Sequence, residues 1–256
     1  MRDQKAVWMS MCQGCGEEPH ESHVSRRAIL KTGALLALTP WSMGAAPAAA
    51  SPAPSTPPPP NAIGRGDALQ RLMEGNARYA ENRMNERDFS AGRAARVLAQ
   101  YPIAAILSCA DARVAPELAF DQGPGDLFVV RVAGNIVTLD LLASLEYGVH
   151  FLGVPLVMVL GHTGCGAVVA AIKVLKTKAV LPGHLPELIS AINPAVTIAE
   201  KMQSGTLLDN AIAENVRRQV TQLKNSPSVV AQYYAGKKID IVGAVYDLPT
   251  GKIALV

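Results

Sequence analysis

The chain has 256 residues, 49% of them hydrophobic and 18% charged, so it can bury a sizeable core. Its formal net charge is only +3 and no long run of one charge sign occurs, which excludes a nucleic-acid-binding protein. The 4 cysteines are too few for a disulfide scaffold in a chain of this length.

The N-terminal segment, residues 1–50, has the features of an export signal. A twin arginine, Arg26-Arg27, precedes an apolar stretch that Pro40 interrupts. The stretch is too short for a membrane-spanning helix, which needs about 20 apolar residues, and small residues at 45–50 offer Ala-x-Ala cleavage sites. We therefore expect a twin-arginine-type signal peptide, export by the twin-arginine translocation machinery of a bacterium, and a periplasmic or secreted location. The alternative is an uncleaved anchor helix.

A Cys-x-x-Cys pair lies before the twin arginine. Cys12 and Cys15, with His20 and His23 nearby, have the spacing of a metal or redox site. Because cleavage of the leader would remove them, we assign them no role in the mature protein.

A proline-rich linker, residues 51–64, precedes the predicted folded domain, residues 65–256. The first element of that domain is an amphipathic helix over residues 66–82, with apolar residues at helical spacing. Asp67 is its predicted N-cap.

Strands and helices then alternate along the chain. The predicted strands are short apolar runs at residues 103–108, 127–132, 156–160, 239–246 and 252–256. The predicted helices cover residues 139–151, 167–175, 185–192 and 207–223. This alternation predicts one α/β domain with a central, mostly parallel sheet flanked by helices, in which the last strand lies at an edge.

Three candidate metal ligands follow two of these strands. Cys109 comes directly after strand 103–108, and His162 and Cys165 come after strand 156–160. Ligands of open parallel sheets bind at the carboxyl ends of the strands. Two thiolates and an imidazole suit Zn²⁺ and leave a fourth position open, as in catalytic zinc sites. From these residues alone, a Cys109–Cys165 disulfide or two plain buried cysteines remain alternatives.

The motifs around these ligands resemble those of the β-class carbonic anhydrases. The matching runs are SCADARVAPE from Ser108, FDQGPGD from Phe120, LFVVRVAGN from Leu127, GHTGCGA from Gly161, AENVR from Ala213 and VGAVYD from Val242. Together they span about residues 66–256, essentially the whole predicted domain.

The resemblance implies a zinc-dependent carbonic anhydrase, which hydrates carbon dioxide reversibly to bicarbonate and a proton by zinc-hydroxide attack. It implies one Zn²⁺ per subunit, held by Cys109, His162 and Cys165. Asp111 would pair with Arg113 and orient the attacking hydroxide, and in the closed state of some members this aspartate ligates the metal instead.

Further expectations are less specific. Gln122, near a predicted turn, is a candidate for lining the substrate pocket, and Gly134 and Asn135 are candidates for its wall. The resemblance also implies a homodimer or homotetramer in which helix 66–82 packs on a neighbouring subunit. Two alternative functions are a hydrolase of carbonyl sulfide or carbon disulfide on the same scaffold, and a zinc-binding or redox protein. The intact Asp111–Arg113 pair favours carbon dioxide.

Overall fold

The computed structural model of the chain describes residues 63–90 and 92–256. All of them fall within one compact unit. The predicted signal peptide, the linker up to residue 62 and the Cys12–Cys15 pair lie outside the described residues, so those assignments stay predictions.

The described residues form a mixed α/β structure. In chain order its elements are helices α1 (Arg65–Ala80) and α2 (Arg93–Leu98), strand β1 (Ala104–Ser108), helix α3 (Pro116–Ala119), strand β2 (Leu127–Arg131), a 3-10 turn (Ala133–Asn135), helix α4 (Leu139–His150), strand β3 (Leu156–His162), helices α5 (Gly166–Thr177), α6 (Leu185–Ala199), α7 (Leu207–Asn225) and α8 (Val229–Ala235), and strands β4 (Asp240–Tyr246) and β5 (Ile253–Leu255). The predicted fold class is confirmed.

The five strands form one sheet in the order β2-β1-β3-β4-β5. The first four strands are parallel, and β5 pairs antiparallel with β4 at the edge, as the sequence predicts. From β1 the chain crosses to β2 on one side and later returns to β3 on the other. The crevice between the carboxyl ends of β1 and β3 is therefore the topological switch point, where open α/β sheets bind their ligands.

Strands β1 and β3 are buried along their whole length, which explains their continuous apolar sequences. Ile106 and Met158 pack on one face of the sheet against Leu72 of α1. Leu107 and Val159 point to the other face, into the core formed with helices α4 and α7.

Helix α1 packs on its own chain. Ala68 and Leu72 are fully buried in the core, so this face of the helix is covered by the sheet of the same chain. A contact of the helix with a neighbouring subunit stays a prediction. The helix begins at Arg65 with Gly64 as N-cap, and the predicted cap Asp67 lies instead in the first turn. An acidic side chain there stabilises the helix dipole.

Several element boundaries differ from the prediction. Strand β3 runs two residues further, so His162 is its last residue instead of following it. Helix α6 continues through Pro194 to Ala199, whereas the predicted helix ended at residue 192. The short helices α2, α3 and α8 were not predicted. Within the described residues, no helix combines the length and apolarity needed to cross a membrane.

Candidate metal centre

The side chains of Cys109, His162 and Cys165 converge at the switch point. Their candidate ligand atoms all lie within 4.8 Å of one another. Cys109 follows β1, His162 ends β3, and Cys165 is the N-cap residue of α5. All three are buried, and both cysteines are free thiols, not a disulfide.

The orientation of His162 suits a metal ligand. Its Nδ1 lies 2.9 Å from the carbonyl oxygen of Thr163, which can only accept, so Nδ1 carries the proton. In the neutral ring Nε2 therefore carries the lone pair, and this atom is buried with no hydrogen-bond partner among the described residues. A buried imidazole lone pair beside two thiols is the donor set of a zinc site, so these residues fit the metal.

The two thiols differ in acidity. A hydrogen bond from Cys165 lowers the pKa of Cys109 to about 4, although burial opposes the shift. The same hydrogen bond, together with burial, raises the pKa of Cys165. Cys109 is also approached by the backbone N–H of Gly134, 3.3 Å from its Sγ. One thiolate is thus favoured before a cation binds, and binding must displace the proton of the second.

Asp111 lies beside the three ligands and is held by Arg113. Arg113 donates from Nε to Oδ1 at 2.9 Å and from Nη2 to Oδ2 at 2.8 Å, and its backbone N–H donates to Oδ1 at 3.0 Å. These hydrogen bonds lower the pKa of Asp111 to about 2. Its Oδ2 is 3.7 Å from Nε2 of His162, so an ionised carboxylate borders the site while Arg113 occupies both of its oxygens.

Arg131, which the sequence analysis did not single out, supports the loop that carries Cys109 and Asp111. Its Nε donates to the carbonyl oxygen of Cys109 at 3.0 Å, and its Nη2 donates to those of Asp111 and Val114 at 2.7 and 2.8 Å. The residue is the last of β2 and lies opposite Ser108 in the sheet. One guanidinium therefore holds three backbone carbonyls of a single loop.

Gly134 packs directly behind Cys109. Its φ of +72° favours glycine, and an added Cβ would lie 2.7 Å from Cδ1 of Ile192, so that side chain would have to move to admit it. Its carbonyl oxygen accepts a hydrogen bond from Nδ2 of Asn215 at 2.8 Å. The neighbouring Asn135 is buried. Gly134 thus contacts a candidate ligand, while a role of either residue in a substrate pocket stays a prediction.

Gln122 lies at a corner between α1 and α3. Its Oε1 accepts a hydrogen bond from Arg71 at 3.1 Å, and its Nε2 donates to the carbonyl oxygen of Phe120 at 2.7 Å. Both polar ends of the buried amide are engaged in this corner. Its predicted place in the substrate pocket stays a prediction.

The chain is similar to known proteins over most of its length. It matches the protein family described as carbonic anhydrase over residues 104–253, which include all three candidate ligands. It is 36% identical over 189 residues to the carbonic anhydrase of Mycolicibacterium smegmatis. The aligned region covers 73% of this chain and 91% of that protein. Carbonic anhydrase 2 of Mycobacterium tuberculosis matches with the same identity and coverage.

Two solved structures share the fold. The β-carbonic anhydrase of Coccomyxa in complex with acetazolamide is 28% identical, with a TM-score of 0.56 over 73% of this chain and 86% of that chain. The β-carbonic anhydrase CcaA is 26% identical, with a TM-score of 0.56 over 73% of this chain and 94% of that chain.

Proposed function

This chain belongs to the β-class carbonic anhydrases, and we propose that its site at the switch point hydrates carbon dioxide reversibly to bicarbonate and a proton. The observation that carries the proposal is the buried Cys109–His162–Cys165 cluster with its unpartnered Nε2. These three side chains would hold one Zn²⁺. When bound, zinc supplies a Lewis acid that lowers the pKa of a water molecule, so that a nucleophile exists near neutral pH.

The contribution of Asp111 is to orient that nucleophile. With its pKa at about 2, the carboxylate stays ionised and can only accept hydrogen bonds. Its Oδ2 borders His162, where it can accept an O–H of the attacking oxygen and turn a lone pair toward carbon dioxide. The fork of Arg113 holds the carboxylate in this orientation and would keep it from ligating a bound zinc ion.

Stopped-flow measurement of carbon dioxide hydration tests the proposal. The zinc-loaded full chain is expected to be active, and Asp111→Ala is expected to lose about 10²-fold, the usual cost when the reacting atoms are no longer correctly oriented. Asp140→Ala, which removes an exposed aspartate from the first turn of α4, is the matched control and should retain activity. Bound zinc without hydration at any pH would contradict the proposal and direct attention to carbonyl sulfide.

We further propose that the enzyme is a homodimer or homotetramer that uses the edge of β2. Among the described residues, no strand covers the outer side of β2. Phe128 of this strand begins a row of aromatic rings with Tyr147 and Phe151, at centroid distances of 6.2 and 5.3 Å. Tyr147 is 47% exposed and Phe151 is 71% exposed. An open edge beside exposed aromatic rings is typical of an interaction surface.

Sedimentation velocity tests the assembly. The parent is expected to sediment as a dimer or tetramer, and Phe151→Glu should shift it toward the monomer because a charge would be buried at the interface. Val180→Glu, at a residue 93% exposed in another part of the chain, is the control. A monomeric parent would contradict the proposal.

Export is likewise a proposal, supported by the twin arginine and the apolar segment after it. Trp8 and Trp41 both lie in residues 1–50, and the chain has 2 tryptophans. Cleavage is therefore expected to yield a mature protein without tryptophan fluorescence, and replacing Arg26-Arg27 by two lysines should block its appearance outside the cytoplasm. A full-length chain recovered in the membrane would support the anchor-helix alternative.

A further inference from the structure

Thr163 lies between two of the zinc ligands and contacts one of them through its backbone. Its carbonyl oxygen accepts the hydrogen bond from Nδ1 of His162. Its own backbone N–H donates to the carbonyl oxygen of Tyr246 at 2.9 Å, which continues the pairing of β3 with β4 beyond the last strand residue. The orientation of the peptide group that follows Thr163 therefore determines where the ring of His162 points.

The hydroxyl of Thr163 joins this peptide to the turn between β4 and β5. Its Oγ1 accepts from the backbone N–H of Leu248 at 2.9 Å and donates to Oδ1 of Asp247 at 3.4 Å. The next residue, Gly164, has a φ of +64° and no side chain. Two side chains thus tether the segment between His162 and Cys165: the hydroxyl of Thr163 and Nη2 of Arg113, which donates to the carbonyl oxygen of Gly164 at 3.4 Å.

The turn that receives the hydroxyl is itself firmly anchored. The second carboxylate oxygen of Asp247 accepts from the backbone N–H and Oγ1 of Thr250 at 3.2 and 2.5 Å. Asn76 of α1 donates to the carbonyl oxygen of Gly251 at 2.8 Å and accepts from the N–H of Ile253 at 2.8 Å. A buried amide on α1 therefore fixes the turn against which Thr163 is held.

We propose that Thr163, held by Asp247, is a positioning residue for the zinc ligand His162. The hydroxyl fixes the peptide group of residue 163, and the carbonyl of that group fixes the ring orientation and the tautomer that leaves Nε2 free for the metal. Outer groups of this kind change metal affinity about 10- to 100-fold when they are removed. The inference rests on the zinc site of the proposed function.

Zinc affinity, measured by competition with a chromophoric chelator, tests the role directly. The full chain is used with Cys12→Ser and Cys15→Ser, so that Cys109 and Cys165 are its remaining cysteines. Thr163→Val, which keeps the shape but removes the hydroxyl, should weaken zinc binding about 10- to 100-fold. Thr163→Ser should restore affinity close to the parent. Thr221→Val is the control, since it removes a threonine hydroxyl that bonds the carbonyl oxygen of Arg217 on helix α7.

A double-mutant cycle connects the two residues. If Thr163 acts through Asp247, Asp247→Ala should also weaken zinc binding. The variant with both substitutions should then have the same zinc affinity as the single variant that binds zinc less tightly. Substituted Co²⁺ should show an altered visible spectrum in Thr163→Val, because the imidazole is displaced from its position.

The outcomes separate the inference from the function on which it rests. A Thr163→Val chain with a lower melting temperature but unchanged zinc affinity and Co²⁺ spectrum would overturn the positioning role alone. A parent chain that binds no zinc would overturn both the role and the proposed function.

Discussion

The guanidinium of Arg113 contacts both carboxylate oxygens of Asp111 at 2.9 and 2.8 Å. A bidentate contact of this kind fixes direction as well as charge. Because the pKa of Asp111 is thereby lowered to about 2, the carboxylate is ionised at every pH at which the enzyme would be assayed. Arg113 thus prepares a hydrogen-bond acceptor beside the metal ligands.

Removal of the guanidinium should leave Asp111 in place but poorly oriented. For Arg113→Met we expect carbon dioxide hydration to fall on the order of 100-fold, a magnitude typical of a misplaced reacting group. Arg113→Lys should recover only part of the loss, because an ammonium cannot supply the fork. Arg83→Met, at an exposed arginine paired with Glu81, serves as control. Full activity of Arg113→Met in stopped-flow assays would refute the orienting role.

Arg131 should control the order of the loop that carries Cys109 and Asp111. Its three hydrogen bonds to the carbonyl oxygens of Cys109, Asp111 and Val114 disappear in Arg131→Met. We expect amide hydrogen exchange of residues 109–114 to become faster and the free energy of unfolding to fall by about 2 kcal/mol. Hydrogen bonds from charged donors are worth about 1.5–3 kcal/mol each, but Arg131 is an exposed residue, which reduces their sum. Unchanged exchange in this loop would show that Arg131 is dispensable for its order.

Gly134→Ala should lower the free energy of unfolding for two reasons, and a control variant can separate them. The new Cβ would meet Ile192 at 2.7 Å, and the positive φ would be strained. Gly153 has a similar φ of +67° but nothing within 4 Å of an added Cβ, so Gly153→Ala carries only the strain. We expect losses of about 1 kcal/mol for Gly153→Ala and about 2–4 kcal/mol for Gly134→Ala in urea unfolding. Equal losses would argue against tight packing behind Cys109.

The thiols of Cys109 and Cys165 should report on the bound metal. In a Cys12→Ser/Cys15→Ser chain loaded with zinc, we expect neither thiol to react with a disulfide reagent until a chelator is added. Both should react afterwards, since both cysteines are free. A chain that gives no reactive thiol even after chelation would indicate a disulfide instead.

Asp121 should contribute to stability in a pH-dependent way. Burial opposes ionisation of its carboxyl, but hydrogen bonds from Arg78 and Arg87 outweigh burial and lower its pKa. A lowered native pKa stabilises the fold above the ordinary aspartate pKa of about 3.9, and this stabilisation is lost as the pH falls through the native value.

Asp121→Asn should therefore lower the free energy of unfolding at neutral pH by about 2 kcal/mol. This is less than the loss for a fully buried pair, because the side chains of Arg78 and Arg87 remain 33% and 21% exposed. The difference between parent and variant should shrink as urea unfolding is measured below about pH 4. A difference independent of pH would exclude the ionised carboxyl as its source.

Much of the site could be predicted because its chemistry is carried by side chains of distinctive type. Cys109, His162 and Cys165 follow apolar runs whose burial identifies them as inner strands, and the structure brings these residues together. The adjacency of β1 and β3 is a property of strand order that periodicity does not encode.

The supporting contacts were less accessible from the sequence. Arg131 donates to backbone carbonyl oxygens of another segment, which have no residue type to recognise. Gly134 acts through its own backbone N–H, which donates to Sγ of Cys109, and a backbone donor is common to nearly every residue type. Helix α6 passes through Pro194 because packing of residues such as Ile192 and Val196 outweighs the local preference of proline to end a helix. The extension of β3 to His162 likewise depends on pairing with Tyr246, a partner remote in the chain.

The two edges of the sheet are unequal, which restricts how copies of the chain can join. Strand β2 offers a parallel edge of 5 residues, whereas β5 closes the other side with only 3 antiparallel residues. Head-to-tail stacking of sheets into a filament would need two good edges on each copy. Pairing of β2 with β2 about a two-fold axis would use the same edge on both copies and leave free only the two short β5 edges, so association through β2 would end in a closed pair.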